Sequence, residues 1–377
     1  MKINRHASVL GAVLAAGALV LSACGSDNNT AGGSTSGAGA PAPTGTAQVD
    51  CGGKKALTAE GSTAQKGAME AFIAAYGQKC QGYQLAYNPT GSGNGVKNFT
   101  GGQVDFGGSD SALKKDKGEV DAAAKRCKGN PAWNLPLVFG PVAIVYNNKD
   151  AQELTLTGEL AAKIFSGAIT DWSDPAIAAA NGGKALPAKK ITVVFRADES
   201  GTTDNFQKYL SAAGKGAWTK DAGKKFNGGV GQGAQGSAGV ADAVAAGDGA
   251  IAYAEWSYAQ DKNLAMAKID SGSGPVELNA QTAGVAIQSA KVKGTGNDLE
   301  LDLKSLYSSN TPGAYPLVLA TYEIVCSKGY DADTAKAVKA FLTVAATDAQ
   351  GQLQEAGYVP LPNQFQSKLL TAIQAIS

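Results

Sequence analysis

The chain has 377 residues, with 33 Lys and Arg against 32 Asp and Glu and a single histidine. That length suffices for two domains with a sizeable core, and the near balance of charge leaves no general basic field for holding nucleic acid. The histidine, His6, falls in a segment expected to be removed, so the mature chain has no imidazole for a Ser-His-Asp triad or a metal.

Lys2 and Arg5 precede an apolar run, Val9 to Leu21, that ends Leu21-Ser22-Ala23-Cys24. This reads as a lipoprotein signal peptide over 1–23: the small residues suit the peptidase, and Cys24 becomes the lipidated first residue. The run is too short for a comfortable membrane span. Losing Lys2 and Arg5 shifts the formal charge from +1 to −1. Residues 24–50, rich in Gly, Ser, Ala, Thr and Pro, cannot build a core and read as a flexible tether spanning roughly 30 Å root-mean-square. The folded part is therefore expected at the outer face of the cytoplasmic membrane, anchored through Cys24. Cys51, Cys80, Cys127 and Cys326 remain. An even number in an exported chain predicts two disulfides, with three pairings open. No CxxC spacing occurs, and no metal or cofactor is expected.

From Cys51 the pattern turns globular. Lys54 to Thr58 reads as a strand leading into the turn Ala59-Glu60-Gly61-Ser62-Thr63. Met69, Phe72, Ile73 and Tyr76 mark a helix. Tyr83 to Tyr87 is a strand followed by the loop TGSGNGVKNF (Thr90 to Phe99), which opens a short helix. Val104 to Gly107 is a third strand, running into Gly108-Ser109-Asp110. Such turns gather at the carboxyl edge of an α/β sheet, where ligands bind. Asn134 to Asn147 is a long apolar strand with a bend expected at Gly140-Pro141. Gly228 to Gly239 reads as a plain Gly-rich loop, with a phosphate-cradling role as the alternative. Tyr315 to Ser327 is a second long apolar strand, suited to a return crossing, and Thr334 to Ala346 is a strongly periodic helix.

The most informative stretch is FRADESGTT, Phe195 to Thr203. It closes the β-branched run KKITVVF (Lys189 to Phe195) and opens a helix over Asp204 to Ala212. Arg196, Ser200, Gly201 and Thr202 thus lie at a strand-to-helix turn, where free N–H groups and the helix dipole favour an anion. Arg196 adds a planar charged fork, and after residue 23 the only other arginine is Arg126. Asp198 stands where it can orient the guanidinium.

These turns, GST (61–63), GSGNGVK (91–97), VDFGGSD (104–110) and RADESGT (196–202), together with IFSGAITDWSDPAI (164–177) and GAIAYAEWSYA (249–259), resemble the phosphate-binding lipoprotein of the high-affinity ABC phosphate importer. The resemblance covers 54–363. It implies a two-lobed α/β periplasmic binding protein fold of type II, each lobe a mixed sheet flanked by helices, with two hinge crossings. Residues 51–142 plus 319–377 would form lobe I and 143–318 lobe II. The implied phosphate contacts are Thr63, Ala64 (through its N–H), Ser92, Asp110, Arg196, Ser200, Gly201 and Thr202. Glu199 stands where the family often has glycine and puts an extra carboxylate beside the site. The implied partners are phosphate and the permease and ATPase subunits of the importer, with the chain a monomer, held to the membrane by lipid and without nucleic acid. The placing of the strands and crossings then favours disulfides Cys51–Cys80 and Cys127–Cys326.

Dehydrated phosphate needs many donors, which these hydroxyls, N–H groups and guanidinium supply. An ionised Asp110 makes sense beside an anion that carries a proton to give; sulfate does not at neutral pH. Sites built around a ligand hydrogen bond reject an analogue lacking it by about 10⁴–10⁵-fold. Two alternatives are another small oxyanion or organic acid as ligand, and a phosphate-ester hydrolase using Ser92 or Ser200. The second would need a lysine or carboxylate as base. A binding protein without enzymatic activity is the expectation.

Overall fold

The computed structural model describes residues 48–377. The signal peptide, Cys24 and most of the tether lie outside the described residues. Gln48 to Asp50, assigned to the tether, already lie on the fold: Val49 packs against the core, and Asp50 pairs with Lys336 at 3.1 Å. No described helix is long and apolar enough to cross a membrane.

Among the described residues twelve strands occur in the order β1 (Ala56–Gly61), β2 (Gln84–Asn88), β3 (Phe106–Ser109), β4 (Ala132–Asn147), β5 (Thr155–Thr157), β6 (Thr192–Arg196), β7 (Gln232–Ala234), β8 (Ala250–Glu255), β9 (Ala265–Met266), β10 (Lys268–Asp270), β11 (Pro275–Val276) and β12 (Val318–Cys326). Nine form one mixed sheet in the order β2-β1-β3-β12-β4-β8-β6-β7, with β9 on β4; β11, β10 and β5 form a small second sheet.

The sheet has two halves that share one strand. The first part of β4 pairs antiparallel with β12 as far as Pro141, and from Val142 it pairs with β8. The bend expected at Gly140-Pro141 is therefore a change of partner within a continuous strand. Proline lacks an N–H for the ladder, so the point where one neighbour gives way to another accommodates it. β4 and β12 are buried almost throughout, which explains why they read as unbroken apolar runs rather than alternating ones.

Helix α1 (Lys66–Lys79) follows the expected spacing and buries Met69, Phe72 and Tyr76. Tyr76 meets Phe341 of the helix Ala332–Ala346 edge-on at 5.4 Å, and Phe106 stacks on the same ring at 5.6 Å. Helix α2 (Ser92–Thr100) occupies most of the stretch read as the TGSGNGVKNF loop. Its serine and glycines are weak helix formers in isolation, but Val96 and Phe99 are buried at helical spacing and fix it by packing. The second half of the sheet carries its own aromatic core, with Phe206 stacked on Tyr253 at 4.4 Å and edge-on to Phe165 at 4.6 Å.

Both disulfides take the expected pairing: Cys51–Cys80 joins the leads into β1 and β2, which are parallel neighbours, and Cys127–Cys326 joins the chain before β4 to the end of β12.

Candidate anion site between the sheet halves

The β6 strand delivers Arg196 at its last position, and helix α3 (Gly201–Ala213) begins five residues later. Ser200 is the N-cap, its Oγ accepting from the Thr203 N–H at 3.2 Å. The N–H groups of Gly201 and Thr202 then open the helix with no intrahelical carbonyl to bond. Arg196 and Ser200 are buried. The guanidinium is clamped by Asp198, Nε to Oδ1 at 2.8 Å and Nη2 to Oδ2 at 2.5 Å, and Asp198 is itself held by the Gly236 N–H at 3.0 Å. Burial works against the Arg196 charge, but Asp198 more than offsets it, so the group titrates above its ordinary value.

Facing this turn, the chain after β3 places Asp110 with 2% of its surface exposed. Its Oδ1 accepts from Ser62 Oγ at 2.5 Å and from Thr321 Oγ1 at 2.8 Å; its Oδ2 accepts from Ser92 Oγ at 3.1 Å. Burial pushes the Asp110 carboxyl up to about 6, with the Ser62 hydrogen bond opposing and the charge of Glu255 reinforcing it. Asp110 therefore stays largely ionised at neutral pH.

The two faces meet closely. A Cβ on Gly201 would lie 2.6 Å from Asp110 Cβ and 2.7 Å from Ser92 Oγ, so this approach requires glycine. Asn205 donates to the Asp110 carbonyl at 2.6 Å, Gly93 N–H to the Glu199 carbonyl at 2.9 Å, and Tyr258 OH to the Thr63 carbonyl at 2.9 Å. Around the rim, Lys114 and Ser111 bond Asp204, and Lys224 bonds Glu119, each at 2.7 Å. The charges of Lys208 and Lys114 outweigh burial and hold the Asp204 carboxyl down at about 2.

The residues singled out from the sequence lie along these facing turns. Thr63 and Ser92 come from the β1 and β2 ends, Asp110 from the β3 end, and Arg196, Ser200, Gly201 and Thr202 from the β6 end. Ala64 is buried, but its N–H donates to Ser62 Oγ at 3.0 Å rather than standing free. The Glu199 carboxylate is about half exposed and pairs with Lys225 at 3.4 Å.

Other polar groups at the site escaped the sequence reading. Ser237 accepts from Arg196 Nη1 at 3.0 Å and lies 2.7 Å from Thr63 Oγ1, joining the two faces. It belongs to helix α4 (Gly236–Ala246), so the Gly-rich stretch 228–239 is not a plain loop: it holds edge strand β7 and this helix start. Its glycines masked both elements. Glu255, at the end of β8, is buried and accepts from Thr202 Oγ1. Ser62 and Thr321 complete the surroundings of Asp110. The signal for Ser62 was present in the GST turn; Thr321, inside an apolar strand, had none.

The profile of the PBP superfamily domain matches residues 29–349. Phosphate-binding protein PstS 3 of Mycobacterium tuberculosis is 52% identical over the full length of both chains. Phosphate-binding protein PstS of Xylella fastidiosa is 33% identical over 74% of this chain and 75% of its own. Among solved structures, a high-affinity periplasmic phosphate-binding protein bound with phosphate superposes with a TM-score of 0.64 at 24% identity, over 84% of this chain and 93% of that one. The phosphate-binding protein of Stenotrophomonas maltophilia gives 0.64 at 20% identity, over 84% and 94%. At these identities the structures establish the two-lobed fold and no more. The chain belongs to the PBP superfamily and, within it, to the family of PstS phosphate-binding proteins.

Proposed function

We propose that this protein binds inorganic phosphate between its two lobes outside the cytoplasmic membrane and delivers it to the permease and ATPase of an ABC importer. Lobe I comprises 51–142 and 319–377, and lobe II 143–318, with β4 and β12 as the crossings. Cys24 carries the lipid anchor, and the protein acts as a monomeric carrier rather than as an enzyme.

The observation that carries this reading is Asp110, a buried carboxylate placed against the opening of helix α3 and close to the charge of Arg196. The donors are the Gly201 and Thr202 N–H groups, the Thr63 and Ser200 hydroxyls and the guanidinium, joined by the Ser92 hydroxyl when it turns from Asp110 Oδ2 to the ligand. Of five guanidinium N–H bonds, three are engaged by Asp198 and Ser237, leaving two for the ligand. Asp110 Oδ2 holds one hydrogen bond to Oδ1's two, so it retains capacity to accept the proton of HPO₄²⁻ or H₂PO₄⁻. A fully deprotonated oxyanion would set lone pair against lone pair there. Ligand contacts from both lobes favour the closed arrangement through differential affinity.

Calorimetric titration with phosphate and then sulfate tests the reading. Saturable one-to-one binding of phosphate, and binding of sulfate weaker by orders of magnitude, is expected; comparable affinities would overturn it. Release of product from a chromogenic phosphate ester would instead favour the hydrolase.

A further inference from the structure

Behind Asp110 lies a second buried carboxyl that the proposed binding mode does not use. Glu323, on β12, is 0% exposed, and neither of its oxygens has a hydrogen-bond partner. It lies opposite Gly108 in the β3–β12 ladder and Leu135 in the β4–β12 ladder. The polar group bordering it is the amide of Gln65, whose Oε1 is also without a partner, while its Nε2 donates to Tyr87 OH at 3.1 Å. Tyr87 OH donates to the Ser62 carbonyl at 2.7 Å, and Ser62 Oγ donates to Asp110. Hydrogen bonds thus run from Gln65 through Tyr87 and Ser62 to Asp110, and Glu323 borders the first of these groups. Gly108 leaves room for them: a Cβ there would sit 2.3 Å from Gln65 Nε2 and 2.8 Å from Tyr87 OH.

An ionised Glu323 would be a buried charge beside the Asp110 charge, with only the Gln65 amide to offset it, close to a site that must accept an anion. An un-ionised one carries no charge to desolvate. The titratable groups facing it are Asp110 from the β3 end, whose charge disfavours a second negative one, and Tyr87 from β2, which burial and the Glu323 charge hold in its neutral form.

We propose that Glu323, which lies behind the phosphate site and outside its ligand set, is held as a neutral carboxylic acid: it leaves Asp110 the proton-reading carboxylate of lobe I, and its ionisation sets an upper pH limit on tight binding. The proposal rests on the phosphate reading above. Burial, opposed by the Gln65 amide and reinforced by the Asp110 charge, pushes the Glu323 carboxyl up to about 8. Its ionisation therefore begins just above neutrality, and a bound anion shifts it further upward. Above that pH, binding phosphate must draw a proton onto Glu323.

The test is calorimetry of phosphate binding to the wild type and Glu323→Gln from about pH 6.5 to about pH 9.5, in pairs of buffers differing in protonation enthalpy. Near pH 7 the two should bind alike. Above about pH 8 the wild type should take up protons and lose several-fold to about tenfold in affinity relative to Glu323→Gln, tenfold being one unit of titration shift on binding. The ionisations of phosphate and Asp110 are common to both proteins and cancel in the ratio. Glu323→Met, of similar length and likewise neutral, should behave as Glu323→Gln and serves if the amide variant folds poorly. Matching pH profiles and proton uptake in wild type and variants overturn the proposal. Infrared difference spectra of the ligand-free protein give an independent reading: a protonated-carboxyl band at neutral pH, absent from the variant. Without that band Glu323 is ionised and the proposal fails while phosphate binding stands. If the band is present but the wild type binds no phosphate, the functional reading fails and the pH-limiting role with it.

Discussion

Replacing Asp110 with Asn is the most direct perturbation of the proposed discrimination. The amide Oδ1 can keep the Ser62 and Thr321 hydrogen bonds. Its Nδ2 takes the place of Oδ2, and Ser92, which already accepts from the Asp110 N–H at 3.2 Å, must turn to accept there as well. One amide hydrogen is then left to face the ligand. For sulfate, a lone-pair clash becomes a donor contact, and hydrogen bonds to charged groups are worth about 1.5–3 kcal/mol. At about 1.4 kcal/mol per tenfold, the phosphate-to-sulfate preference should fall by about 10- to 10²-fold, mostly through tighter sulfate binding. Paired calorimetric titrations read this ratio, and a ratio within about threefold of wild type would refute the proton-reading role. The pH dependence has a definite sign. As pH falls through about 6, wild-type Asp110 gains a proton and becomes a donor itself, so wild-type sulfate affinity should rise toward acid pH while the Asn variant stays nearly flat. Because the folded-state titration lies above the ordinary carboxylate value, stability from Asp110 is fully present below about pH 4 and is lost as pH rises through about 6. Removing the charge relieves about 3 kcal/mol at neutral pH, so the variant should melt no lower than wild type there.

Arg196→Ala should weaken phosphate binding by about 2–5 kcal/mol in the same titration, since it strips the anion of its cation and leaves Asp198 unpaired; a loss under about fivefold would show that the guanidinium is not a ligand. Gly201→Ala should fold normally, because alanine suits a first helical turn, yet the clash with Asp110 and Ser92 should hold the lobes apart. Small-angle scattering should then show phosphate reducing the radius of gyration of the wild type but not of this variant, and equal compaction of both would contradict the contact. Cys24→Ser should move the protein from the membrane fraction to the soluble one with unchanged melting, and retention in the membrane would argue against a lipid anchor there.

The Arg196 turn was legible because its logic is local. A β-branched strand, a capping serine and a glycine follow one another within a few residues, and β6, Ser200 and helix α3 arise from them. Long apolar runs likewise announced β4 and β12. What could not be read is what the sheet register brings together. Thr321 reaches Asp110 from 211 residues away, and Glu255 meets Thr202 from 53 away; nothing in an apolar strand distinguishes either position beforehand. The Gly-rich run at 228–239 misled for the opposite reason, since low intrinsic propensity was overridden by packing of Val240 and Val244 on the buried face of helix α4.

The continuous β4 strand and the staple at its outer end bear on how the molecule is made. Cys51 and Cys80 are 29 residues apart and can join soon after both emerge, whereas Cys127 must wait while 199 residues pass before Cys326 appears. During that interval the first half of the sheet is missing β12, its central partner strand, and exposes the edges of β3 and β4. The second half, whose strands lie between β4 and β12 in the chain, can assemble first. The order of emergence thus leaves the first half to be completed last, with a lone thiol and two open strand edges until β12 arrives. Until Cys326 emerges, the only described cysteines that Cys127 could join within the chain are Cys51 and Cys80, so early closure of that pair protects the later one.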